Sequence, residues 1–215
     1  MTAAPVLDGP KGRLLIAEGT LAVLVAHAAD PVGAATEGTD SVDQLALLHA
    51  AGVIDGPRAH PAIAGAVAAI VRPDLCTLEL THSGRSMRGW VSYDAAALLL
   101  PAREDDELRT LVQVHPTLLP EALARLVELG PRPRANATAP VAIDDAAIGP
   151  VHRRWRLAAA WTLDDGTTGG AGLEIVDAES GLWLLHPADV DDTLAWPVTP
   201  TFVWRHIVRM LMRRE

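Results

Sequence analysis

The chain has 215 residues, 49% of them apolar, and a formal net charge of −9, which suits one domain or two small halves sharing a core. Both halves are acidic, so nucleic acid and anionic membrane are excluded as main partners, because each needs a basic footprint. The single cysteine, Cys76, rules out an internal disulfide and fits a reduced, cytosolic setting; no apolar stretch approaches the roughly 18 residues of a membrane span.

In chain order, residues 12–29 read as a mostly apolar first helix. Lys11 and Arg13 precede it and Ala26-His27-Ala28 imitates a signal-peptidase site, but Glu18 interrupts the run, so an ordinary helix is expected rather than a signal peptide. Residues 30–40 form a polar, Gly-bearing connection. Ser41 with Gln44 three residues on has the pattern of a capping box, opening a helix that stops at Gly52. Pro61 opens a further helix over about 60–72, and Pro73 ends it.

The period then changes from helical to alternating. Cys76, Leu78 and Leu80 alternate with Thr77, Glu79 and Thr81, predicting a half-buried strand over 75–81. His82-Ser83-Gly84-Arg85 is a turn, followed by strands over 87–93, 96–101 and 108–114, with a charged hairpin at 103–107. Thr117 is expected to cap a helix through Leu129. Residues 130–150 read as a linker by their Pro content. Strands follow over about 155–162, 171–177, 181–186 and 193–198, with hairpin turns at 164–170 and in the Asp189-Val190-Asp191-Asp192 run. Thr201 is expected to cap a last helix, with Trp204, Ile207, Val208 and Leu211 at the spacing of one buried face.

These elements fall into an internal repeat. Residues 96–117 align on 180–201 without a gap: Leu98, Leu100, Val114, Pro116 and Thr117 fall on Leu182, Leu184, Val198, Pro200 and Thr201. At the same offset Val91 falls on Ile175, and Leu119, Leu123, Leu126 and Val127 fall on Val203, Ile207, Met210 and Leu211. The expected fold is α+β: an antiparallel twisted sheet from two repeated ββββα units with pseudo-two-fold symmetry, plus N-terminal helices. The N-terminal half is 1–130, the linker 131–150 and the C-terminal ββββα unit 151–215, all in one compact domain.

Catalytic signatures are missing from the sequence. It has no Gly-x-Ser-x-Gly, phosphate loop, His-Glu-x-x-His or cysteine pair, and the serines and histidines show no spacing that builds a triad or a zinc site. The acidic run at 189–192 lacks the Gly and Glu of a calcium loop and reads as a hairpin tip. Asn136-Ala137-Thr138 is a glycosylation pattern without meaning in the cytosol. Cys76, in an apolar strand, reads as a small buried side chain. We therefore expect no catalytic, cofactor-binding or metal-binding residues, and no enzyme. Interaction features are clearer: Arg85, Arg88 and Trp90 gather on one hairpin, and Arg and Trp dominate interface energies. The plainer reading packs Trp90 on the helices and leaves the arginines solvated. Most tryptophans of the second half read as core. The basic ends at Arg153, Arg154, Arg156 and at Arg209, Arg213, Arg214 read as a solvated strand start and a helix C-terminus.

Leu45 to Val53 (LALLHAAGV), the apolar helix at 61–71 with Arg72-Pro73, the run Gly181-Leu182-Trp183-Leu184-Leu185, and Trp196-Pro197-Val198-Thr199-Pro200 with Trp204-Arg205 together resemble EspG proteins, the secretion-associated proteins of actinobacterial type VII (ESX) secretion. The resemblance spans about residues 12–213 and rests on the order of elements more than on any one motif. It implies a non-enzymatic cytosolic chaperone, without cofactor, that covers an aggregation-prone surface on a PE–PPE heterodimer. The hairpin His82 to Arg88 and the helix Phe202 to Arg213 match the family's binding surface, which makes Arg85, Arg88, Trp90, Trp204 and Arg205 the candidate partner-binding residues. Two departures stand out: the hairpin is short, and residues 130–150 replace a helical insertion. A short or divergent member is therefore expected, with a PE–PPE or WXG-type helical secreted protein as client. The competing readings are a self-associating homodimer without a client, and a small-ligand binder in a groove between halves.

Overall fold

The computed structural model describes residues 3–31, 39–102, 107–135, 137–163, 165–185 and 194–212. The chain separates into two compact units, residues 1–77 with 87–116, and residues 78–86 with 117–215. The architecture is α+β, with antiparallel strands and, among the described residues, five α-helices.

The first unit opens with β1 (Val6–Asp8), a short 3-10 turn and β2 (Arg13–Ala17), then α1 (Glu18–Ala29), α2 (Thr39–Ala50), the small hairpin β3 (Ile54–Asp55) and β4 (Arg58–Ala59), and α3 (Pro61–Val71). The expected helix over 12–29 is thus a strand followed by a helix. Leu14 and Ile16 are fully buried and alternate with Arg13 and Ala17, a two-residue period, whereas buried Thr20, Leu21, Leu24 and His27 recur at helical spacing. One apolar run contains both periods, and Glu18 is the junction. β2 pairs with β1 on one side and β8 on the other, Leu14 facing Leu111.

The helix ends also correct expectation. α2 begins at Thr39, which places Ser41 inside the first turn and not at a cap. Its C-terminus closes as foreseen at Gly52, with φ of 66°, Val53 N–H donating to Leu48 O and Gly52 N–H to His49 O, a Schellman motif that the left-handed glycine makes possible. Before α3, the His60 ring accepts from Ala62 N–H and Pro61 takes the first helical position.

β6 (Arg85–Val91), whose residues from Met87 onward belong here, β7 (Ala96–Pro101) and β8 (Leu108–Val114) complete the unit. Its strand order is β1-β2-β8-β7-β6. α1 and α3 pack together, and α3 lies on β7 and β8. The core joins Leu14, Ile16, Leu24, Leu48, Ile63 and Leu111. The Gln113 side chain reaches α3, accepting from Ala66 N–H at 3.1 Å; Gly65 leaves the room, since a Cβ there would lie 3.0 Å from the Gln113 amide.

The second unit runs from β5 (Cys76–His82), whose residues from Leu78 onward belong here, through α4 (Leu119–Leu126), β9 (Val141–Ala142), β10 (Val151–Thr162), β11 (Thr168–Ala178), β12 (Gly181–Leu185), β13 (Leu194–Val198) and α5 (Pro200–Leu211). The strand order is β5-β10-β11-β12-β13-β9. β10 and β11 form the longest ladder, with Trp161 opposite Gly169; its ring covers that glycine, where a Cβ would approach Trp161 Nε1 to 2.3 Å.

Two caps differ from expectation in this unit. Thr117 lies in a 3-10 turn before α4, whose N-cap is Leu118. Thr199, not Thr201, caps α5, its hydroxyl accepting from Phe202 N–H at 3.2 Å. The buried face of α5 is Val203, Ile207, Met210 and Leu211, one residue off the expected stripe, and Trp204 stands out at 38% exposure.

Candidate functional site

Ser83 and Gly84 both take positive φ, 51° and 77°, the geometry of the tight two-residue hairpin whose twist suits its strands. Arg85 opens β6 and is exposed. Along β6, Met87, Gly89 and Val91 are buried, while Arg88 and Trp90 take the opposite face. The Arg88 guanidinium carbon lies 5.9 Å from the centre of the Trp90 ring, within cation–π range. Arg88 also forms an ion pair with Glu18 at the start of α1, and Arg109 approaches the same carboxylate at 3.8 Å. Trp90 is half-buried against the helical core. The structure therefore joins Arg88 and Trp90, with Glu18 as a third member that the sequence did not disclose.

Trp204 and Arg205 belong to the other unit. Both are exposed on α5, whose buried stripe packs on α4. The helix carries Arg205, His206 and Arg209 and no acidic residue. Phe202 and His206 lie 5.8 Å apart between ring centres, their planes tilted by 35°. Burial, and then the nearby Arg209 charge, push the His206 pKa down. Of the tryptophans read as core, Trp155 and Trp183 are buried, but Trp196 is 45% exposed.

Beside the start of α5 lies a groove of about 690 Å³, lined by Leu184, Trp196, Pro197, Val198 and Phe202 on one side and by Arg134, Ala135, Ala137 and Thr138 on the other. Its second wall belongs to the stretch read from sequence as a linker. That stretch is strapped down. Arg132 meets Asp177 bidentately, Nε to Oδ1 at 2.9 Å and Nη2 to Oδ2 at 2.8 Å, while Arg153 Nε approaches Oδ2 at 3.3 Å. Asp177 is buried at 2% exposure, a position that an acid holds only with charged partners. Arg153 also binds Glu128, whose carboxyl it holds below its usual range through that hydrogen bond. Further along, Ser180 Oγ donates to Ile148 O at 2.6 Å and accepts from Trp183 Nε1 at 3.0 Å. Ala135 and Ile148 join the small core around Trp183. Gly181, at φ 136°, lets the strap pass, since a Cβ there would lie 2.7 Å from Pro133 O. An acid between Val176 and Ala178 in an apolar strand was the one sequence signal that could have pointed to this node.

Among the described residues no group of His, Cys, Asp and Glu is arranged to hold a metal, and no helix is long and apolar enough to cross a membrane. Burial pushes the Cys76 thiol up to about 11, far from the range of a reactive thiolate. The acidic run at 189–192, the sequon asparagine, most of the hairpin at 103–107, and Arg213 and Arg214 lie outside the described residues.

No family model matches the chain, and no curated protein matches it in sequence. A solved structure does: the Mycobacterium tuberculosis type VII secretion system chaperone EspG5, in complex with a PE25-PPE41 dimer, matches with a TM-score of 0.60 at 13% identity, over 93% of this chain and 95% of that one. The resemblance to EspG proteins read from the sequence is thus met at the level of the fold.

Proposed function

We propose that this chain is a short or divergent EspG-like protein, a non-enzymatic cytosolic chaperone that binds a helical secreted client, of PE–PPE or WXG type, for type VII secretion. The observation that carries the reading is the fold it shares with EspG5 over nearly the whole of both chains. Sequence elements support it in order: α2 and α3, then β5 to β8 with α4, then β10 to β13 with α5. The two strand-and-helix series stand at the spacing of the internal repeat, which favours a pseudo-two-fold arrangement. Arg85, Arg88, Trp90, Trp204 and Arg205 are the proposed contacts. The alternative is a self-associating interaction protein, for which the exposed Trp196, Phe202 and Trp204 speak.

Co-expression of the tagged chain in its native host tests the reading. A small helical secreted protein recovered in stoichiometric amount, and a complex that re-forms from the two purified parts, are expected. Recovery of the chain alone as a defined homo-oligomer would overturn it in favour of self-association. Replacing Arg85 and Trp90 together weakens the complex on this reading; unchanged affinity removes those contacts from it.

A further inference from the structure

We infer that the groove between the strap and β13 is an anchor site for an acidic amphipathic helix of the partner, taking its apolar side chains on Trp196 and Phe202 and its carboxylates on the basic rim. The inference rests on the chaperone reading and adds to it a second site, away from the β5–β6 hairpin and made within the second unit alone.

Three observations carry it. The first is the uncovered edge. Among the described residues β9 pairs with β13 only at Leu194 and Ala195, and from Trp196 to Val198 the strand lines the groove. The second is what that edge can offer. Pro197 has no N–H, and a proline interrupts a ladder; Thr199 O already accepts from Val203 N–H at 3.1 Å. An incoming strand would find few backbone partners there, whereas side chains find an apolar floor of Leu184, Pro197 and Val198 between two large exposed rings. A helix laid in a groove recognises its site by side chains at i, i+3, i+4 and i+7, and this floor suits that mode.

The third observation is charge. The whole chain carries −9, yet among the described residues no carboxylate lines the groove, Arg134 stands on its rim, and α5 continues from it with Arg205, His206 and Arg209 and no acid. A basic patch selects an acidic partner and disfavours an isologous dimer in which the same patch meets itself. The tilted contact of Phe202 with His206 keeps one ring in place beside that charge.

The test uses the full chain and two synthetic amphipathic helices of about four turns, alike in a leucine face but bearing glutamates or lysines elsewhere, read by anisotropy of a labelled peptide. The glutamate peptide is expected to bind and the lysine peptide to bind at least about tenfold more weakly. Arg134→Glu should weaken the glutamate peptide about tenfold while improving the lysine peptide, a reversal that loss of folding cannot produce. Phe202→Ala should weaken both, with an unchanged far-ultraviolet spectrum. No binding, equal binding of the two peptides, or full binding by both variants overturns the inference, as does a homodimer that Phe202→Ala dissolves. Client capture that survives both variants sinks this site alone; absence of any client sinks the chaperone reading beneath it.

Discussion

Asp177 carries more of the fold than its position in the sequence declares. Two guanidiniums share its carboxylate, and the strap and β10 each supply one. Removing one partner of a buried ion pair leaves the others uncompensated, which costs about 3 kcal/mol or more. Asp177→Ala should therefore lower stability by about 3 kcal/mol in urea titration, or roughly 6–12 °C in thermal midpoint for a chain of this size; a loss under about 1 kcal/mol would mean the arginines hold the strap without it. His206 sets a pH dependence of the opposite kind to a salt-bridged histidine. Its folded pKa lies below the ordinary 6.5, so the unfolded chain binds the proton more readily. The stability it contributes is present above pH 6.5 and is lost as pH falls through the lower folded value. Between pH 7 and 5, His206→Gln should unfold with a shallower decline than the parent chain; parallel curves would remove this histidine from the balance.

At the scale of elements, α5 offers a direct contrast. Ile207 is buried and Trp204 exposed on the same helix. Ile207→Ala should cost about 3 kcal/mol, as core truncations do, and Trp204→Ala less than about 0.5. Equal losses measured by denaturation would mean the helix is rotated from its described face. The sequence misplaced that face by one residue because a bulky Trp at helical spacing looks like core; the buried four, Val203, Ile207, Met210 and Leu211, are the ones that align with Leu119, Leu123, Leu126 and Val127. Strands at 96–101 and 108–114 were legible to the residue, since the polar Tyr93-Asp94 and the charged run at 103–107 bound the apolar stretches. β2 and α1 were not, because two periods share one apolar run and no breaker separates them. The groove was invisible for a different reason. It is made by residues far apart in the chain, Arg134 and Trp196 among them, and only tertiary contact brings them to one place.

For the molecule as a whole, fold and function separate. The shared fold with EspG5 at 13% identity constrains where elements lie while leaving the side chains that meet a client free to differ. The two readings differ in mass. Sedimentation of the purified chain should give a monomer near 22.7 kDa across a hundredfold concentration range if it awaits a client; a mass that climbs toward twice that value would favour self-association.

The strap bears on how the chain could be divided. A piece beginning at Val151 keeps β10 to β13, α5 and Arg153, but loses β5, α4 and, with the strap, Arg132, which shares Asp177, and Ala135 and Ile148, which close over Trp183. Such a piece would be a receptor missing its own ligand. The stretch that looks most like a tether is thus part of the unit it leads into, and a cut after it leaves Asp177 one guanidinium short and Trp183 uncovered.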